Sequence, residues 1–124
     1  MKIRIKGNSV RIRLSRTETD KLATEGYLAE TTSFVNGTFG YALQSKEGIT
    51  DLDAGFADNT ITVYVPAAIA AVWAGNEVVG HSNTIALPDG GSLYLLLEKD
   101  FKCIDADVSE DQSDNYDNPL ISCA

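Results

Sequence analysis

The sequence predicts an α+β domain in which a curved, mostly antiparallel sheet or partial barrel of about six or seven strands packs with two short helices. Three observations support this. Several short segments alternate apolar and polar residues with strand periodicity, turns rich in Gly and Asn join consecutive segments, and two stretches carry helix start and stop signals. The chain has 124 residues, the usual size of one domain.

The chain opens on a predicted basic hairpin. Residues 2–6 and 10–14 alternate charged and aliphatic side chains, and Gly7-Asn8 fits a two-residue turn. The aliphatic side chains then pair across the hairpin: Ile3 with Ile12 and Ile5 with Val10. The other face sets like charges against each other: Arg4 against Arg11 and Lys2 against Arg13. Such pairs destabilise a sheet by up to about 1 kcal/mol each, so we expect an anionic group to compensate them.

A short helix and a second hairpin follow. Ser15 and Glu18 have the spacing of a capping box, and Gly26 is placed to end the helix. Strands at 28–34 and 38–44 are then joined by an Asn-Gly turn. The predicted register pairs four side chains across this hairpin: Phe34 with Phe39 and Thr32 with Tyr41.

The next segments predict a loop, a strand and a second helix. Residues 45–59 are polar and contain glycine, which indicates a loop, and residues 60–65 have high β propensity. Pro66 fits the first turn of a helix that closes at Gly75. Three side chains are expected to share its apolar face: Ile69, Val72 and Trp73.

A last strand pair is predicted at 83–87 and 92–98, around a Pro-Asp-Gly-Gly turn. The second of these strands is apolar on both faces except at Glu98, which predicts a central position in the sheet. The single histidine, His81, falls in a predicted loop before this pair, and nothing in the spacing places it beside a nucleophile and an orienting carboxylate. We therefore predict no catalytic residues.

Charge is distributed unevenly along the chain. Seven of the ten basic residues lie in the first 21 positions, and none follows Lys102, although the net charge is −8. Residues 105–124 carry six carboxylates and few large apolar side chains. We divide the chain into a globular domain, 1–104, and an acidic C-terminal tail, 105–124, which is loosely ordered or docked on the domain.

Composition excludes several classes of partner. An excess of carboxylates argues against nucleic acid, because phosphate binding requires clustered Lys and Arg. No run of apolar residues is long enough to span a membrane. The first residues alternate charged and apolar side chains and lack the apolar core of a signal peptide, so we expect a cytoplasmic protein.

The strongest candidate site is the charged face of the first hairpin. Arg forks match the oxygens of phosphate and carboxylate groups two at a time. We therefore expect an anion or an acidic protein partner to be bound by four side chains: Lys2, Arg4, Arg11 and Arg13. The alternatives are that this face is solvated or pairs with acidic residues of the same chain, the tail among them.

A metal site is a second, weaker candidate. Asp105, Asp107 and Asp111 place oxygens at the spacing of a calcium loop, but the sixth position is Glu110 instead of Gly and the twelfth is Tyr116 instead of Glu. An ordinary calcium loop is therefore excluded, and a looser Ca²⁺ or Mg²⁺ site stays open. No other cofactor is predicted.

Three segments together resemble a family of small uncharacterised bacterial proteins, a domain of unknown function. They are residues 1–14, 98–103 and 110–119, and the likeness runs along nearly the whole chain. The resemblance implies a bacterial cytoplasmic protein. It carries no assigned activity and no functional residue to transfer.

These observations favour a non-catalytic binding or interaction domain whose basic N-terminal hairpin engages an acidic group, either in its own tail or in a partner. The alternative is a metal-dependent enzyme acting on a phosphorylated small molecule, with basic residues on the phosphate and carboxylates on the metal. A structural subunit that pairs its sheet edge with another copy is a third possibility, so a monomer and a homodimer both remain open.

Overall fold

The computed structural model describes residues 1–101. In chain order its elements are β1 (Lys2–Lys6), β2 (Ser9–Leu14), α1 (Arg16–Glu25), β3 (Tyr27–Phe34), β4 (Gly37–Lys46), β5 (Asp53–Ala57), β6 (Thr60–Pro66), α2 (Ala67–Val72), a 3₁₀ turn (Trp73–Gly75), β7 (Gly80–Ala86) and β8 (Ser92–Lys99). No helix in this range is long and apolar enough to cross a membrane. The predicted tail, 105–124, and its boundary at 104 lie outside the described residues.

The strands form two four-stranded sheets, with orders β1-β2-β8-β7 and β3-β4-β6-β5. Each sheet has a parallel pair at its centre, β2 with β8 and β4 with β6, and antiparallel hairpins outside it. The α+β class is confirmed, whereas the single curved sheet or partial barrel of six or seven strands is wrong. The hairpins of one sheet are far apart in the chain and meet through parallel pairs, a connection that local turn signals do not reveal.

The strand missed by sequence is β5, which lies inside the predicted loop 45–59. It pairs with β6 through a two-residue turn in which Asp58 and Asn59 have φ of 52° and 58°. Positive φ at both central positions is typical of a tight hairpin, and Asn and Asp are the non-glycine residues that adopt it most readily. The Asp-Asn pair is therefore the feature of the sequence that could have predicted this hairpin.

The predicted registers are right for one hairpin and wrong for another. Every predicted pair of β1 with β2 is present. In the second hairpin the turn is Val35-Asn36, and Thr32 lies opposite Phe39 instead of Tyr41. A shift of two residues leaves each side chain on the same face. It also sets Leu28 opposite Leu43, and both are buried in the core.

The first helix has the ends that the sequence predicts. Ser15 accepts a hydrogen bond from the Glu18 amide, the Glu18 carboxylate accepts one from the Ser15 amide, and Gly26 has a φ of 72°. The second helix differs in its buried face. Ala70 and Trp73 are buried, but Val72 is exposed, because the helix ends after six residues and a 3₁₀ turn with different angular spacing follows.

The core lies between the sheets and under the two helices. Its largest fully buried side chains are Trp73, Ile12, Leu14, Leu22, Leu43, Leu95, Leu97 and Val65. Trp73 donates a hydrogen bond from Nε1 to the Val78 carbonyl at 2.7 Å and meets the His81 ring edge to face at 5.3 Å between centroids. His81 therefore belongs to strand β7 and the core margin instead of a loop, and its Nε2 is buried without a hydrogen-bond partner.

The fold consists of two topologically equivalent halves, each built as hairpin, helix, hairpin. The first hairpin of one half and the second hairpin of the other make up each sheet. Every residue of β1 and β2 has an equivalent 51 positions later in β5 and β6, so that Lys2 and Arg13 correspond to Asp53 and Tyr64. The sequence shows no repeat at a fixed period, because the two halves share an apolar pattern and almost no identities.

An ionic cluster ties β1, α1 and β3 together. The Met1 amino group contacts the carboxylates of Glu18 and Glu30. Burial by itself raises the pKa of Glu18, but hydrogen bonds from the Met1 ammonium and the Ser15 amide outweigh it and leave that pKa below its ordinary value. Burial, reinforced by these two carboxylates, raises the pKa of Tyr41.

We expect the free energy of unfolding to fall as the pH drops below 6.5. Burial, followed by the positive charge of Lys99, lowers the pKa of His81 below its ordinary value of 6.5. The unfolded chain therefore takes up this proton at a higher pH than the folded chain. Stability that is fully present above pH 6.5 is lost as the pH falls through the folded-state pKa.

Denaturant unfolding across this pH range measures the effect, with His81→Gln as the comparison. The variant should lose the slope just below pH 6.5 while keeping the slope at lower pH, where carboxylates such as Glu18 titrate. An unchanged slope in the variant would show that another group is responsible.

Candidate anion-binding site

The basic side chains of the first hairpin lie together on the outer face of the first sheet. The register sets Lys2 opposite Arg13 and Arg4 opposite Arg11, so the predicted ladder of like charges is present. Lys6, at the end of β1, continues it. The structure thus brings all four predicted residues to one face. We call these five cations the basic face.

Two carboxylates partly compensate the basic face. Arg13 donates a hydrogen bond from Nε to Oε1 of Glu98 at 2.7 Å, and Nε of Arg11 lies 2.9 Å from the same oxygen without a hydrogen bond to it. At the end of the hairpin, Nζ of Lys2 lies 2.9 Å from Oδ2 of Asp100. Within residues 1–101, these two carboxylates are in ion pairs with Lys2, Arg11 and Arg13.

The cations surround a shallow depression. Its volume is about 170 Å³, and its lining consists of Lys2, Ile3, Arg4, Arg11 and Arg13. The side chains of Arg11 and Arg13 are about one-third exposed, at 31% and 28%. Both side chains lie against Glu98, which is 16% exposed.

The equivalent face of the second sheet carries no such charge. The topological repeat places Gly55 where the first sheet has Arg4, and Thr62 where it has Arg11. The position of Glu98, opposite Arg13, is taken by Gln44 opposite Tyr64. The same strand arrangement therefore forms without the ladder of like charges, and the fold does not require the cations.

An apolar strip borders the basic face. Tyr94 and Leu96 of β8 stand in register with Ser9 and Arg11 of β2. Tyr94 is 41% exposed. A ligand on the guanidinium groups would therefore meet an aromatic ring and an aliphatic side chain on the β8 side.

A larger cavity of about 750 Å³ lies beside α1 and the end of β8. Its charged lining residues are Arg16, Asp20, Glu77, Lys99 and Asp100. Among the described residues, three carboxylates and two cations line this cavity, so it lacks the concentration of positive charge that marks the basic face.

The other predicted ligands fall elsewhere. Asp105, Asp107 and Asp111, the candidate metal ligands, lie outside the described residues, as do both cysteines. Within residues 1–101, no three His, Cys, Asp or Glu side chains are grouped closely enough to hold a metal ion.

Sequence reasoning missed Glu98 and Asp100 as the groups that compensate the ladder. It expected an anionic partner but had no means of knowing that β2 pairs with β8 in parallel. The available signal was the one carboxylate on a strand that is otherwise apolar on both faces. A charge at that position indicates an opposite charge on the neighbouring strand.

Comparison with known proteins identifies the family. The family model described as "Family of unknown function (DUF7009)" matches residues 1–120, and the chain belongs to that family. Neither the curated proteins nor the solved structures give a match. The resemblance to an uncharacterised family is thereby confirmed.

Replacing Glu98 by Gln should destabilise the folded chain by about 1–2 kcal/mol at low salt. The variant loses the negative charge that Arg11 and Arg13 share, so the repulsion between the opposed cations increases. Salt screens that repulsion, so the loss should shrink as ionic strength rises. Denaturant unfolding at two salt concentrations measures it.

Glu47→Gln is the matched control, because it makes the same charge change at an exposed site at the end of β4. Equal losses in the two variants would mean that net charge, and not the pairing on the sheet, determines the effect.

Proposed function

For this member of a family of unknown function, we propose a non-catalytic binding domain whose basic face engages an acidic group on a protein partner. The observation that carries the proposal is the excess of cations at positions where the equivalent sheet has none. Like charges set directly opposite cost stability. Their presence on one sheet and absence from the other points to a role in binding instead of folding.

The local geometry supports an acidic ligand. Glu98 accepts a hydrogen bond from Nε of Arg13 and so fixes the orientation of that guanidinium on the sheet. Arg11 and Arg13 lie two residues apart on a strand, a separation of about 7 Å. That spacing matches carboxylates on alternate residues of an extended peptide. A guanidinium pairs with each carboxylate through two parallel hydrogen bonds.

A protein ligand fits the remaining chemistry better than nucleic acid. The chain carries a net charge of −8, which repels a polyanion at long range. The apolar strip of Tyr94 and Leu96 offers contacts to apolar side chains next to the cations. The bacterial cytoplasm remains the expected setting, and a monomer and a homodimer are both compatible with the proposal.

The alternative of a metal-dependent enzyme acting on a phosphorylated small molecule stays a prediction. Its candidate metal ligands lie outside the described residues. The two carboxylates nearest to the cations, Glu98 and Asp100, are already in ion pairs with them. No observation on residues 1–101 favours this alternative.

The test is calorimetric titration of the full chain with a short all-aspartate peptide. Replacing Arg4 by Gln should weaken binding about tenfold, because a charge-assisted hydrogen bond contributes about 1.5–3 kcal/mol. Affinity should also fall as salt increases. Lys46→Gln, which removes a cation from the outer face of the second sheet, should leave binding unchanged.

Two outcomes would contradict the proposal. One is equal weakening by Arg4→Gln and Lys46→Gln, which would mean that the peptide senses overall charge. The other is tighter binding of a DNA duplex than of the peptide at the same salt concentration, which would assign the basic face to nucleic acid.

A further inference from the structure

We propose that the basic face has an internal occupant, the acidic segment of this chain at residues 105–117. This proposal rests on the proposed function, because it names what regulates access to the same face. The segment would dock on the cations and compete with an acidic partner. The structure and the sequence supply three arguments: the position of the last described residues, the charges of the face and of the segment, and the spacing of those charges.

The last described residues of the chain lie beside the basic face. The Asp100 amide donates a hydrogen bond to the Leu14 carbonyl at 2.8 Å. Its carboxylate lies 2.9 Å from Nζ of Lys2, which is a member of the basic face. Five further residues reach Asp105 and span up to about 17 Å. Strand β1 is only about 17 Å long, so every carboxylate from Asp105 onward can reach the cations.

Charge favours this face over the other concave surface of the domain. The acidic segment contains six carboxylates and no cation. The basic face carries five cations, and the ion pairs described for it within residues 1–101 involve two carboxylates, Glu98 and Asp100. The larger cavity beside α1, which also adjoins Asp100, is lined within residues 1–101 by three carboxylates and two cations, so it attracts an acidic segment less than the basic face does.

The spacing of charged residues in the acidic segment also matches that along β1. Asp105 and Asp107 are two residues apart, and Ala106 and Val108 alternate with them. Lys2, Arg4 and Lys6 alternate in the same way along β1. A peptide that binds in an extended conformation with this alternation would repeat its charges at the same interval as β1, about 7 Å. A tether this short gives the segment an effective concentration in the millimolar range, enough to compete with a weak external partner.

Zero-length cross-linking of the full chain detects the docking directly. A carbodiimide joins a lysine amine to a carboxylate that touches it, and mass spectrometry of the peptides locates the joint. We expect Lys2 and Lys6 to be linked to residues 105–117 in yields several times those from Lys46, and we expect high salt to reduce those yields. Equal yields from Lys46 would overturn the proposal.

A binding measurement tests the competition. The full chain is compared with a variant in which the segment is neutralised: Asp105→Asn, Asp107→Asn, Glu110→Gln, Asp111→Asn, Asp114→Asn and Asp117→Asn. The variant should bind the all-aspartate peptide about tenfold more tightly. A matched control neutralises six exposed carboxylates of the domain instead: Asp20, Glu25, Glu47, Asp51, Asp58 and Glu77. The control should gain much less, because its basic face stays occupied.

The outcomes separate this proposal from the proposed function. Equal affinity of the peptide for the full chain and the neutralised variant would overturn the docking and leave the proposed function standing. An equal gain in the matched control would also overturn it, since overall charge would then explain the change. Cross-links from Lys2 and Lys6 without peptide binding to any of the chains would support the docking and reject an external acidic partner.

Discussion

The parallel pairing of β2 with β8 is the interaction on which the rest of the structure depends. It joins the first and last hairpins of the domain into one sheet and buries Ile12, Leu95 and Leu97 on the inner side. On the outer side the same register sets Glu98 against Arg13. One pairing therefore closes the core and supplies the carboxylate that makes a ladder of cations tolerable.

The topological repeat separates what the fold requires from what it does not. Both sheets keep apolar side chains at equivalent inner positions, such as Ile12 and Val63, because both must cover the same core. Their outer faces differ almost completely. Arg4 and Arg11 have Gly55 and Thr62 as counterparts, so the outer face of a sheet is free to vary once the inner face is fixed. The basic face is therefore specific to one sheet, and the equivalent strands of the other sheet pair without it.

The sequence predicted the local elements and missed how they combine. The first hairpin, the capped helix α1 and the central place of β8 all followed from signals within a few residues, such as the capping box at Ser15 and Glu18. The two parallel pairs join segments far apart in the chain, and periodicity carries no information about which strands become neighbours. For that reason the sequence predicts one sheet where the structure has two.

For the candidate site, too, the sequence predicted what depends on local turns and missed what depends on long-range pairing. Four cations were assigned to one face correctly, because a tight turn fixes the register of a hairpin. Their partners Glu98 and Asp100 come from the other end of the domain and required the tertiary pairing. The sequence did not predict strand β5 for a different reason, since its Ala and Gly residues have low β propensity. In the structure, pairing with β6 overrides that preference.

The most direct test of the basic face is an NMR titration that follows the arginine Nε–H signals of the neutralised variant as the all-aspartate peptide is added. The chain has four arginines, and Arg16, at the start of α1, is the only one off the basic face. The structure predicts that the signals of Arg4, Arg11 and Arg13 shift together while that of Arg16 stays in place. Equal shifts at all four arginines, or a shift at Arg16 alone, would contradict the account.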